Sequence, residues 1–166
     1  MARGIMYEVS TKPEDIGNMD ESDFYEELSC LHADYVADID PKDSDSNRRC
    51  LADILTRFGA VVSQYIPEDD EDNLFPNGTF SVTGITNDFK RTWFSSNLEK
   101  LKEKVSDMGI DEFATDSYEA WKLQNLINDD NADAVYLDGS IYTLDGFVRT
   151  ATPDMTYYLG TTVFMH

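Results

Sequence analysis

The sequence predicts an α+β fold, with about four helices packed on an antiparallel sheet that ends in a C-terminal β-meander. Three observations predict it. The hydrophobic period is two in some segments and near 3.6 in others. Asp138-Gly139 stands as a two-residue turn between two β-rich runs. The composition, 41% apolar and 12% aromatic over 166 residues, is that of a packed globular chain. That length suits one compact domain, 1–166, or two subdomains, 1–66 and 79–166, joined by the acidic loop 67–78.

Gly4 to Ser10 alternates around Ile5, Tyr7 and Val9, which predicts a strand. From Asp20 to about Ile39 the period becomes helical, with Phe24, Leu28, Leu31 and Tyr35 forming one stripe. Asp38 to Asn47 is rich in turn formers and reads as a linker. A second helix is expected from about Ser46 to Phe58, closed by Gly59, and then strands over 60–66 and 79–85. Ser96 and Glu99 spell a capping box for a helix ending at Gly109, with Phe89, Trp93 and Phe94 in an earlier turn. Asp116 and Glu119 repeat that arrangement ahead of Tyr118, Trp121 and Leu126.

The meander comprises Ala134–Leu137, Ser140–Leu144, a second turn at Asp145-Gly146 into Phe147–Ala151, and a last strand over 156–166. Leu28, Leu31, Leu51, Leu55, Trp93, Leu98, Leu101, Trp121, Val135, Tyr142 and Val163 are expected in the core. The order strand, helix, helix, strand occurs twice, which raises the idea of a duplicated βααβ unit.

Several chemistries find no support. No Gly-x-Ser-x-Gly elbow and no phosphate-cradling glycine pattern occurs, and His32 is the one histidine inside the chain, so no enzyme is expected. Asp43, Asp45 and Asn47 imitate the start of an EF-hand loop, but Arg48 stands where Gly is needed and Ile54 where a bidentate Glu is needed. Cys30, His32, Cys50 and His166 equal a zinc set in number. Cys30 and His32 are only two residues apart on a predicted helix, so buried thiols on neighbouring helices are the better reading. Neither a metal nor any other cofactor is expected. Glu8 interrupts any apolar leader, and no uncharged run is long enough to span a bilayer, so a reduced cytoplasmic protein without membrane contact is expected.

Acidity is the remaining signal. Thirty-three Asp and Glu face thirteen Lys and Arg, a net charge of -20, which opposes direct contact with nucleic acid. On the predicted first helix, Asp20, Asp23, Glu27, Asp34 and Asp38 fall within about 60° of one another, a strip about 27 Å long with a charge every ~5–7 Å. DNA carries a phosphate every ~3.4 Å per strand, so the match is partial. Glu68, Asp69, Asp70, Glu71 and Asp72 form a second, loop-borne strip. Asp34 and Asp38 sit near the predicted C-terminal end of the helix, where its dipole opposes them, which suggests a use other than stability.

In length, acidity and absence of catalytic motifs, the chain is similar to the small anti-defence proteins of phages and mobile elements, the antirestriction and anti-CRISPR inhibitors. The likeness implies an inhibitor occupying the nucleic-acid channel of a basic protein or complex. The expected function is therefore that of an acidic, non-enzymatic nucleic-acid mimic acting through the two strips. The alternative is an interaction module that docks through exposed aromatics, or through a strand edge such as 156–166, and is acidic only for solubility. Nothing in the sequence specifies an oligomeric state.

Overall fold

The computed structural model describes residues 4–17, 19–20, 24, 36–65, 79–110, 114 and 133–165. The helix expected from Asp116, the segment 67–73, and Leu28, Leu31 and Trp121 lie outside these residues.

Seven strands form one mixed sheet: β1 (Gly4–Ser10), β2 (Val36–Asp38), β3 (Val61–Gln64), β4 (Phe80–Thr83), β5 (Ala134–Leu137), β6 (Ser140–Thr143) and β7 (Tyr157–Met165). The order is β3-β4-β7-β1-β5-β6, and β2 also pairs with β7. The expectation of an antiparallel sheet is corrected at its centre, where β1 and β5 run parallel with Met6 opposite Ala134 and Val9 opposite Leu137. A parallel neighbour needs a long crossover, and 123 residues separate the two strands, so no local turn signal could announce the pairing.

Three helices are described rather than four: α1 (Pro41–Arg57), α2 (Asn87–Asp107) and α3 (Leu144–Thr150). The expected linker over 38–47 is mostly helix. Asp40 caps α1 by accepting from the Lys42 N–H at 2.9 Å, and Pro41 takes the first helical position, where its missing N–H costs nothing. The turn formers there are thus an initiation signal. Gly59 ends α1 as expected, at φ +103 with the Ala60 N–H donating back to the Leu55 carbonyl, a Schellman closure.

The expected break before Ser96 is also corrected. Thr86 is the true cap, accepting from the Phe89 N–H, so Phe89, Trp93 and Phe94 belong to the first turns of α2, and Ser96 lies mid-helix. Asp145-Gly146 is no turn either. Thr143 accepts from the Gly146 N–H and starts α3, which shortens the meander to a hairpin before β7. That hairpin stands as expected, with Asp138 at φ +46 and Gly139 at φ +87 meeting the demand for two positive-φ residues.

One face of the sheet packs on the helices through Tyr7, Val9, Val135 and Leu159 against Leu51 and Leu55 of α1, Phe89 and Trp93 of α2, and Phe147 and Val148 of α3. On the other face Met6, Val163 and Met165 pack with Met19, Phe24 and Val36. Leu51, Leu55, Trp93, Val135 and Val163 are buried as expected. Leu98 is not, at 48% exposure, and Leu101 and Tyr142 are half-buried. In α2 only Phe89 and Trp93 are buried; Phe94 and Asn97 still meet the core and α3, and beyond them the helix has no buried residue. The βααβ echo is broken by β2, a strand where the first half was expected to be helical.

Candidate functional site

The structure divides the carboxylates by environment. Of the first expected strip, Asp23, Glu27 and Asp34 lie outside the described residues, as do Glu68, Asp69, Asp70, Glu71 and Asp72 of the second. Asp20 is exposed. Asp38 is exposed too, but it ends β2 opposite Val163 and is not on a helix. The single helical ladder is corrected accordingly. Seventeen of the 33 acidic residues and eleven of the 13 basic ones are described, an excess of only six. The other fourteen net negative charges lie outside the described residues, most of them in the two segments that carry the expected strips and the rest in 111–132.

Two aspartates that the sequence reading assigned to neither strip join Asp38. Asp40, the α1 cap, and Asp43, in its first turn, are exposed and border with Asp38 a groove of about 450 Å³. Its apolar surface comes from Ile5, Ile39 and Phe164; Ile5 and Phe164 are cross-strand partners, with Ala37 next in the same row. A linker reading of 38–47 hides this convergence, because only the helix start brings residues 40 and 43 back beside the sheet.

The opposite extreme is Glu8, 4% exposed in β1. It stands between Tyr7 and Val9, whose side chains face the helices, so alternation sends it to the other face. The β1/β7 register shifts there, with Tyr7 opposite Thr162 but Val9 opposite Leu159, so that β7 carries an extra residue at Gly160-Thr161. Such a bulge releases a peptide from the ladder. The Thr161 N–H donates to Glu8 Oε2 at 2.6 Å, and the Gly160 carbonyl accepts from Arg48 Nη1 at 2.9 Å. Gly17 and Met19 N–H groups donate to Glu8 at 2.8 and 3.3 Å, tying the 11–19 loop to the sheet. One peptide unit therefore links a buried anion on one face to a buried cation on the other.

Arg48 is 2% exposed and also donates to Ser44 Oγ at 2.9 Å, while Ser44 Oγ accepts from the Thr162 N–H. Burial lowers the Arg48 pKa from its ordinary value, and the nearby Asp45 carboxylate opposes that shift. Gly160 is required by Glu8, because a Cβ at that position would collide with Glu8 Oε2 and come within 2.9 Å of Ile16 Cβ. The sequence does hold a signal for this network, a lone acid inside the apolar run of β1. Its partners come from residues 17–19, 48 and 160–161 and leave no local trace.

At the carboxyl ends of β1 and β5 lies a cavity of about 480 Å³ bordered by Glu8, Lys12, Asp15, Met19, Tyr136 and Asp138. Asp138 accepts from Ser10 Oγ at 2.6 Å and Thr11 Oγ1 at 2.9 Å, which ties the hairpin turn to the end of β1. Tyr136 meets Phe24 edge to face, with ring centroids 5.2 Å apart.

Cys50 is exposed on α1 rather than buried, while Cys30, His32 and His166 lie outside the described residues. Asp43, Asp45 and Asn47 are helical, so they form no loop around an ion. Among the described residues no group of three Asp, Glu, His or Cys is arranged to hold a metal. No described helix is long and apolar enough to cross a membrane. The strand expected to offer an edge is β7, which lies inside the sheet between β1 and β4, so docking through 156–166 is corrected. No family model, no curated protein and no solved structure matches this chain.

Proposed function

We propose that this is an acidic, non-enzymatic binding protein that competes with nucleic acid for the basic surface of a protein or complex, in the manner of an anti-defence inhibitor. The observation that carries the reading is the groove beside β2, where Asp38, Asp40 and Asp43 stand exposed around the apolar side chains of Ile5, Ile39 and Phe164. Long-range attraction between a polyanion and a Lys- and Arg-rich channel speeds encounter, and apolar surface beside the charges retains the complex. The carboxylates are held by a strand end and a helix start, so little entropy is lost when they bind. Asp20 and, outside the described residues, Asp23, Glu27, Asp34 and Glu68 to Asp72 would extend the acidic surface.

The test is capture of partners on the immobilised full chain, followed by elution with duplex DNA, with RNA, and with rising salt. A mimic releases its partner to nucleic acid and loses affinity steeply with ionic strength. With the partner then purified, Asp38→Asn, Asp40→Asn and Asp43→Asn together should weaken binding about tenfold or more, since each exposed pair is worth up to ~1 kcal/mol. Binding that ignores both salt and competing nucleic acid would reject the reading. That result would favour the interaction module, for which the structure offers β3, an uncharged edge strand with Val61 61% exposed.

A further inference from the structure

We infer that the cavity at the carboxyl ends of β1 and β5 binds a small organic cation, a guanidinium or alkylammonium group on a short apolar stem. Its volume, about 480 Å³, falls within the range of ligand cavities, roughly 300–1,000 Å³. It opens just beyond the carboxyl ends of β1 and β5, the parallel pair at the centre of the described sheet.

The wall chemistry selects the charge. Glu8, Asp15 and Asp138 contribute three carboxylates against Lys12 in the wall and Arg48 beyond the bulged peptide, which leaves an excess of negative charge that disfavours anions. Backbone amides donate to Glu8 and hydroxyls to Asp138, which fixes both carboxylates in place. The field is thus built before any ligand arrives.

The same walls select an organic cation over a metal ion. A divalent ion requires several oxygens converging at ~2.0–2.6 Å, and no described group of three carboxylates is arranged that way. A guanidinium or ammonium group spreads its charge over hydrogen-bond donors and tolerates carboxylates placed around it. Tyr136 adds an aromatic ring, already positioned against Phe24, and Met19 a polarizable surface for the stem. Lys12 is the built-in competitor. Its ammonium lies 3.9 Å from Asp15, with both side chains more than half exposed, so it can be displaced at little cost.

This site is separate from the groove of the proposed function. Glu8 and Tyr136 face away from the helices at the carboxyl end of β1, whereas Ile5 lies near its amino end on the helix side. The experiment is a ¹H–¹⁵N NMR titration of the full chain with agmatine in low salt, with neutral butylurea as the uncharged control. Agmatine should saturate and shift the amides of Thr11, Asp15 and Gly139, and butylurea should not. Lys12→Ala should tighten agmatine about threefold and Asp15→Asn should weaken it by a similar factor, as expected for removing one exposed charge. Both residues are exposed, so both variants should fold. A blocked Gly-Arg-Gly peptide tells the sources apart: binding by the peptide points to a protein side chain, and binding by agmatine alone points to a free amine. The triple Asn variant of the groove should bind agmatine as the parent does, so loss of nucleic-acid competition leaves this result standing. Equal shifts with butylurea, or no tightening in Lys12→Ala, would overturn the assignment.

Discussion

Glu8 and the Asp38, Asp40 and Asp43 set sit toward opposite ends of the same part of the sheet, and they hold their charge in opposite ways. Glu8 is buried, its oxygens taken by amides from the loop at 17–19 and from the β7 bulge, with Arg48 beyond the same peptide. The three aspartates are exposed. The first carboxylate organises the fold and reaches a ligand only as part of a cavity wall, whereas the others stand at the surface, where a partner can approach them. A net charge of -20 conceals this division, because a count of residues treats all carboxylates alike.

The sharpest way to break the comparison is to remove the buried member. Glu8→Ala strands the amides of Gly17, Met19 and Thr161 and removes one of the two carboxylates near buried Arg48, leaving Asp45, so stability should fall by about 3–5 kcal/mol, read from urea unfolding. A loss below ~1 kcal/mol would place Glu8 with the exposed acids. Gly160→Ala attacks the same contact from the other strand and should cost about 1–3 kcal/mol through overpacking. In the double variant the two losses should fall short of their sum, because truncating Glu8 opens the space that the new methyl needs. Full additivity would show that Gly160 is held by something other than Glu8.

A smaller effect is expected at alkaline pH. The Tyr7 hydroxyl is pushed well above its ordinary range, first by burial and then by Asp133 and Cys50. A raised folded-state pKa means that its stabilisation is complete below the unfolded value of about 10 and is lost as pH climbs beyond it. Tyr7→Phe should therefore flatten the stability profile above pH ~10 and leave its shape near neutrality unchanged. An unaltered alkaline limb would mean that other groups govern it. The smallest effect belongs to the exposed set: each of Asp38→Asn, Asp40→Asn and Asp43→Asn should change stability by less than ~0.5 kcal/mol, Asn being as good a cap as Asp at position 40. A larger loss from Asp38→Asn or Asp43→Asn would give those carboxylates a structural role and weaken the functional one.

Legibility followed the range of the interactions. The Asp138-Gly139 hairpin, the strands at 4–10 and 157–165 and the Gly59 terminus of α1 were readable, because each depends on residues within a few positions of one another. Local signals also misled where two meanings compete. Pro41 and its aspartates resemble a linker but start a helix, Ser96 and Glu99 resemble a cap but lie inside one, and Asp145-Gly146 resembles a turn but opens α3. In the last case Asp145 accepts from Trp93 Nε1 at 2.6 Å and from Asn97, so a contact from α2 accompanies the helical choice. Of the expected site residues, Asp20 and Asp38 fall within the described residues and both are exposed, but Asp38 ends a strand and not a helix.

By itself the sequence determined the charge, the α+β class, the hairpin and the lack of familiar catalytic motifs, since these are sums or short-range patterns. Tertiary structure alone decided that β1 and β5 run parallel, that β7 is interior, that Glu8 and Arg48 meet through one bulged peptide, and that Asp40 and Asp43 join Asp38 at a groove. The physical reason is that desolvation and convergence depend on position in space. The cost of burying a carboxylate, or its availability to a partner, is set by groups more than a hundred residues away in the chain, such as Thr161 for Glu8.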